Sequence, residues 1–282
     1  MSKDLLRTLI PRPVRNVFRS PRKLAEWAND GAQFFLTGGR DYRIRSDWVL
    51  RSHPFAYRNS YEVHVVAEEA VRELDEFIAR CRPGMCLYDI GCHFGIFTLA
   101  ALRYGGSKAR AFAFDPSAMA ERYLLGNVSC NGWNERVAFK RVAVSNSDRD
   151  EYLVSHGLFG NGYFSTSTWS QHGQGERTRV PCRTIDSLVR EFGVPPTHVK
   201  IDVEGFETEV LQGGQELFRR ERPILFLEVH NDMLRSRDVA PEKVFDMLGE
   251  YGYRRVATIM GEPMDHSTLA RFSIVRLICE KD

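Results

Sequence analysis

No apolar run in this chain reaches the ~18 residues of a membrane-spanning helix; the most apolar stretch, Ile90 to Leu102, stops well short. No Cys-x-x-Cys pair occurs, and the six cysteines, Cys81, Cys86, Cys92, Cys130, Cys182 and Cys279, are scattered. A zinc site and a disulfide framework are therefore disfavoured, and the thiols read as reduced, as in a cytoplasmic protein. No Gly-Lys-Ser/Thr is present, which excludes a Walker-type phosphate loop. The first residues are basic throughout and lack a central apolar block, so a secretory signal is not expected. No internal repeat is visible. At 43% hydrophobic and 27% charged, the 282 residues are neither disordered nor collagen-like in composition. They suffice for a sizeable core.

What charge there is lies unevenly. Residues 1–23 carry seven basic side chains against Asp4 alone, a net +6, so an overall charge of +2 leaves −4 on the other 259 residues. Pro11, Pro13 and Pro21 interrupt this arm and weaken any amphipathic helix in it. The arm could contact an anionic membrane surface or nucleic acid, but a solvated extension is the simpler expectation. Residues 1–52 are thus read as a basic arm and lead-in, and 53–282 as the domain proper.

From Glu62 the spacing of Val65, Val66, Ala70, Val71, Leu74, Phe77 and Ile78 predicts one helix ending at Pro83-Gly84. Strands are expected at Met85–Ile90, Ala109–Phe114, Val137–Val144, Val199–Val203 and Pro223–Val229. Helices are expected at Ile96–Tyr104, Met119–Val128, Ser187–Phe192 (capped by Asp186), Glu207–Arg220 and Pro241–Tyr251. Tyr253–Ile259 and Ala270–Glu280, with no helix between them, should pair as an antiparallel hairpin. Such alternation implies a mostly parallel sheet covered by helices on both faces. Ligands then bind beyond the carboxyl ends of the strands. Asp89, Asp115, Ser145, Asp202 and Glu228 all fall at those ends.

Gly91-Cys92-His93-Phe94-Gly95 joins the first of these strands to its helix. Gly91 permits a tight turn, Gly95 permits close packing of the helix start, and the helix N-terminus is electropositive. Asp115 ends the next strand and is suited to accept both hydroxyls of a ribose. His93 occupies the position where a pyrophosphate site needs glycine, which argues against a dinucleotide. S-adenosylmethionine fits better: its carboxylate suits the helix N-terminus, and its cationic amine and sulfonium suit Asp89.

A second group of charges is Lys200-Ile201-Asp202-Val203-Glu204-Gly205-Phe206-Glu207, beside Glu228-Val229-His230-Asn231. Lys200, Asp202 and Glu204 would share one face of a strand. They could deprotonate an alcohol or orient it. A divalent cation on Asp202, Glu228 and Asn231 is conceivable but not indicated, and a salt-bridge network capping the sheet is the structural alternative.

Five segments occur in a known order: Tyr88-Asp89-Ile90-Gly91-x-x-x-Gly95-x-x-Thr98, Ala113-Phe114-Asp115-Pro116, Ala143-Val144-Ser145, Thr184-Ile185-Asp186-x-Leu188, and Lys200-Ile201-Asp202-Val203-Glu204-Gly205-x-Glu207. In this the chain resembles FkbM-family methyltransferases from about residue 53 to 280. It departs from their common pattern in having Cys92-His93 for Ala-Asn and Asp115-Pro116 for Glu-Pro. The resemblance implies an α/β class I methyltransferase (Rossmann-like) fold, with a seven-stranded, mostly parallel sheet and a C-terminal antiparallel hairpin. It also implies methyl transfer from S-adenosylmethionine to a hydroxyl or carboxyl oxygen of a glycan or secondary metabolite. Cofactor contacts are then expected from Asp89, Gly91, Cys92, His93, Phe94, Gly95, Thr98, Asp115, Pro116, Ser117, Ala143, Val144 and Asp202. The catalytic candidates are Asp202, Glu204 and His230, with Lys200 as the charge partner of Asp202 and Glu228 in support. Phe159, Tyr163, Phe164 and Trp169, set among the glycines of 155–175, could wall the acceptor site.

Other chemistries remain as alternatives. A nicotinamide oxidoreductase shares the turn and the ribose acid, but His93 and the closing hairpin oppose it. An RNA 2′-O-methyltransferase would use the basic arm, yet the net −4 beyond it disfavours a nucleic-acid track. A cofactor-sensing module would need no acid cluster. The expected setting is the cytoplasm, with membrane-peripheral contact through the arm as the variant.

Overall fold

The computed structural model describes residues 39–155, 162–165, 176–269 and 271–281, together with Ala32 and Leu36. The basic arm, and Phe159 and Trp169 of the expected aromatic wall, lie outside the described residues. The strands are β1 (Arg40–Arg45), β2 (Trp48–Ser52), β3 (Cys86–Ile90), β4 (Arg110–Phe114), β5 (Val137–Lys140), β6 (Ala143–Val144), β7 (Asp150–Ser155), β8 (Gly162–Ser165), β9 (Glu176–Arg183), β10 (His198–Ile201), β11 (Ile224–His230), β12 (Arg255–Thr258) and β13 (Ile274–Glu280). The main helices are α1 (Glu68–Arg80), α2 (Ile96–Tyr104), α3 (Ala118–Cys130), α4 (Ile185–Phe192), α5 (Glu207–Gly213), α6 (Gln215–Arg220), α7 (Asn231–Ser236) and α8 (Glu242–Glu250).

Seven strands form one sheet in the order β12-β13-β11-β10-β3-β4-β5. The pairings from β5 to β11 are parallel, whereas β13 runs antiparallel to both β11 and β12. This is the class I methyltransferase architecture, with the closing hairpin inserted so that the later strand lies inside the earlier one. Every residue of β3 is buried, as expected of a strand covered on both faces. Successive side chains take opposite sides: Tyr88, Ile201 and Leu227 join one core, while Leu87, Phe226 and Ile278 join the other beneath α1 and α2. The β1–β2 hairpin contributes Ile44, Trp48 and Leu50 to that second core.

Several expected elements are divided. The helix expected from Glu62 breaks at Ala67, which is extended (φ −93°, ψ 121°). The Arg45 guanidinium donates to the carbonyls of His64 (2.8 Å) and Val71 (2.9 Å) on either side of the break. The strand expected over Val137–Val144 leaves the main sheet after Lys140, and Ala143–Val144 pairs instead with β9 in a second, four-stranded sheet. Glu207–Arg220 divides at Gly214. Asp186, expected to cap α4, instead accepts the amides of Glu216 (3.0 Å) and Leu217 (2.9 Å) at the start of α6. Thr184 caps α4 through its hydroxyl. A short helix, His266–Leu269, intervenes between β12 and β13, where none was expected. No helix among the described residues is long and apolar enough to cross a membrane.

Candidate active site

The turn after β3 exists because backbones meet there. Gly91 has φ +72°, and a Cβ on it would lie 1.8 Å from the Asp202 carbonyl oxygen. The close approach is therefore to the end of β10. Gly95, at φ +83°, caps α2, and a Cβ there would meet Leu124 of α3 at 2.4 Å. Between these glycines His93 is left-handed at φ 48°. Its amide donates to Asp115 Oδ2 (3.0 Å), and the Ser117 amide donates to Asp115 Oδ1 (2.8 Å). Asp115 is thus fixed by main-chain donors with lone pairs left over. It is partly exposed at the surface yet closely ringed by protein, and that crowding raises its carboxyl to about 7 against the pull of the two amides.

Asp89 is buried. One oxygen accepts from the Thr98 amide (3.0 Å) and hydroxyl (2.6 Å). Burial raises its carboxyl to about 6, with the Thr98 bonds and Lys200 opposing. Asp89, Gly91, Cys92, His93, Lys200 and Asp202 line a cavity of about 220 Å³ under the segment 59–64. Phe94 is buried in the core and Thr98 reaches the site through Asp89; neither lines the cavity. Pro116, Ser117, Ala143 and Val144 do not line it either, the last two being buried at the junction with the second sheet.

Parallel register places Lys200 beside Asp89 on one side and Phe226 on the other, and the antiparallel register of β11 with β13 places Glu228 opposite Arg276. These charges share the sheet face beneath α1. Lys200 Nζ bonds to Glu73 of α1 at 2.7 Å and stands 3.7 Å from Glu228. Its partner is therefore Glu73 rather than Asp202. Arg276 bonds to Glu228 (2.8 Å) and Glu69 (2.9 Å) and lies 3.2 Å from Glu73. Glu73 and Arg276 were missed in the sequence. The signal for Glu73 was a carboxylate on the apolar stripe of Ala70, Leu74 and Phe77; for Arg276 it was strand register.

Strand β10 ends at Ile201, so Lys200, Asp202 and Glu204 do not share a strand face. Glu204 sits in the following turn at φ 49°, with its Oε2 buried and without a hydrogen-bond partner. Burial and the nearby Asp202 charge raise its carboxyl to about 7. His230 ends β11, with Nδ1 2.9 Å from Glu207 Oε1 and Nε2 3.8 Å from both Asp202 and Glu228. Burial alone would lower the imidazole pKa. The Glu207 bond and the charges of Asp202, Glu207 and Glu228 together raise it.

Asp202, Glu228 and His230 offer donor atoms within 4.8 Å of one another. A dication among them would face Arg276 and Lys200, which already hold Glu228. Pairing with these two cations weakens Glu228 as a metal ligand. The Asn231 amide nitrogen donates to the carbonyls of Leu269 (2.7 Å) and Phe272 (2.9 Å), and its Oδ1 is buried without a hydrogen-bond partner. The residues do fit S-adenosylmethionine. Asp89 and Asp202 face the cavity with carboxylates for cationic groups, and His93 Nε2 is buried there without a hydrogen-bond partner.

The family model for the methyltransferase FkbM domain matches residues 89–255, more than half of the chain. Ribosomal protein L11 methyltransferase of Pelotomaculum thermopropionicum is 28% identical over 141 residues, 45% of this chain and 44% of that protein. The match thus spans under half the length of that curated relative. Among solved structures, a methyltransferase FkbM from Methylobacillus flagellatus KT is similar at TM-score 0.45 and 12% identity, over 79% of this chain and 53% of the other. An S-adenosylmethionine-dependent methyltransferase from Aquifex aeolicus is similar at TM-score 0.42 and 14% identity, over 79% and 94%.

Proposed function

This chain belongs to the FkbM methyltransferase family, and we propose that it transfers the methyl group of S-adenosylmethionine to an oxygen of a small polar acceptor. The acceptor oxygen would be a hydroxyl or carboxyl of a glycan or secondary metabolite. One observation carries the reading: a group of titratable side chains, Asp202, Glu204 and His230, adjoins a glycine turn that follows Asp89 of β3 and is bonded through the His93 amide to Asp115 at the end of β4. Bound S-adenosylmethionine supplies an electrophilic methyl on a sulfonium. Asp115 would hold the ribose hydroxyls and Asp89 the amine, and the cofactor so fixed would present its methyl to an acceptor in one orientation. Asp202, 37% exposed in its side chain, is the group an incoming acceptor meets first. A small polar acceptor suits this lining better than RNA, since several carboxylates face the cavity and residues beyond the arm carry net −4.

The experiment is transfer of labelled methyl from S-adenosylmethionine into glycan and metabolite extracts, followed by base treatment and mass spectrometry. Label in an ether or an ester is expected. Label on a protein amine or in RNA would overturn the oxygen assignment. Absence of S-adenosylhomocysteine binding by calorimetry would overturn the cofactor.

A further inference from the structure

Glu207 is the buried carboxylate nearest the proposed chemistry that the function above leaves without a role. It opens α5 fully buried, and its Oε1 accepts from the Gly205 amide at 2.9 Å. The same oxygen lies 2.9 Å from His230 Nδ1. Where Glu207 accepts in this contact, the ring proton sits on Nδ1. The neutral ring then presents a bare Nε2. That atom lies 3.8 Å from Asp202 Oδ1 and 3.8 Å from Glu228 Oε1. Both gaps exceed a hydrogen bond, and the first can be bridged by one oxygen at ordinary bond lengths. Glu228 is held on its far side by Arg276 at 2.8 Å, whereas Asp202 is open to solvent.

We infer that Glu207 is the positioning residue that holds His230 as the Nδ1–H tautomer, with Nε2 facing an acceptor hydroxyl lodged between His230 and Asp202. This rests on the methyltransferase reading. Asp202 orients the hydroxyl and Nε2 takes its proton. The O–CH₃ bond forms as the S–CH₃ bond of S-adenosylmethionine breaks, its electron pair remaining on sulfur, and the hydroxyl proton ends on Nε2. The imidazolium so formed donates from Nδ1 to Glu207 and faces Asp202 from Nε2. The charged groups around the ring are Glu207 from α5, Asp202 and Glu204 from the turn after β10, Glu228 on its own strand, and Lys200 and Arg276 behind Glu228. The carboxylate excess stabilises that imidazolium.

The test reads the ring directly. In the ¹⁵N-labelled full chain, the His230 resonances are assigned by their loss in His230→Asn and followed from pH 5 to 9. Above its titration the wild-type ring is expected to be protonated at Nδ1 and bare at Nε2. Glu207→Gln keeps an acceptor but removes the charge, so the His230 titration should move to lower pH by roughly 1–3 units. The acid limb of methyl transfer into the extracts should move with it. A wild-type ring protonated at Nε2, or an unmoved titration in a folded Glu207→Gln, overturns the inference. Calorimetry with S-adenosylhomocysteine on the same samples keeps the two readings apart. Failure to bind sinks the methyltransferase reading, whereas binding with the other tautomer sinks only the role of Glu207.

Discussion

At the ends of β3 and β4, carboxylates are held largely by the main chain; at the ends of β10 and β11 they are held largely by other side chains. Asp115 takes the amides of His93 and Ser117, and Asp89 takes the amide and hydroxyl of Thr98. Lys200, Glu228 and His230 are held by Glu73, Arg276 and Glu207. Amide donors come with the turn, so the first half has its geometry as soon as the local fold forms. The second half needs charges from helices and strands far along the chain, and each buried charge there depends on its partner. The first half is therefore suited to holding a constant ligand. The second has charges whose balance can shift when a proton moves.

The largest effect that would test this contrast is on turnover. Asp202→Asn is expected to slow methyl transfer by ~10²–10⁴-fold with S-adenosylhomocysteine affinity nearly unchanged. Because Lys200 is paired with Glu73, its melting temperature should stay close to that of the wild type. A folded variant with normal turnover would move the chemistry to Glu204 or His230.

Lys200→Met attacks the side-chain-held half through stability. It leaves Glu73 and Glu228 buried beside Arg276 without their ammonium, at a cost of about 3–5 kcal/mol. That is a fall in melting temperature of roughly 6–20 °C for a chain of this size. Adding Glu73→Gln should return part of it. A loss below ~1 kcal/mol would show the pair to be dispensable and would weaken the contrast.

Asp115→Asn probes the other half. The fold should survive it at some cost in stability, since the Asn oxygen can accept from one of the two amides while the other loses its acceptor. S-adenosylhomocysteine affinity should drop by the worth of a charge-assisted bond, about 1.5–3 kcal/mol, which calorimetry resolves. Unaltered affinity would remove Asp115 from the ribose.

The last effect concerns pH. Burial raises Asp89 to about 6 and Asp115 to about 7, and the ionised forms are those that hold an amine and a diol. Ligand affinity should therefore weaken as pH falls through 7, approaching tenfold per unit for each proton taken up below the carboxyl's own pKa. Asp115→Asn should flatten the upper part of that curve. A flat wild-type profile from pH 5 to 8 would show that neither charge contributes.

The same contrast explains what was legible. Strands β3, β4, β10 and β11 and the glycine turn follow from local runs of apolar residues and their punctuation, and the strand-end acids follow from those strands. The split of Val137–Val144 between two sheets was hidden, because both pieces are apolar and only pairing with β9 separates them. The break at Ala67 depends on Arg45, far away in sequence. Glu204 left its expected strand face because β10 ends at Ile201. The roles of Glu73, Arg276 and Glu207 required the register of the closing strand and the docking of two helices, which periodicity does not encode.

That closing strand also constrains how the protein assembles. β12 precedes β13 in the chain but lies outside it, and among the described residues its ladder runs to β13 alone. During synthesis β12 is made with its place in the sheet still vacant, and it cannot join β11 directly. The sheet therefore does not grow strand by strand along the chain; β12 finds its place only once β13 has been made, a delay of the kind that slows folding. Arg276 arrives in the same event, so the side-chain-held half of the site matures late, after the glycine turn is already in place.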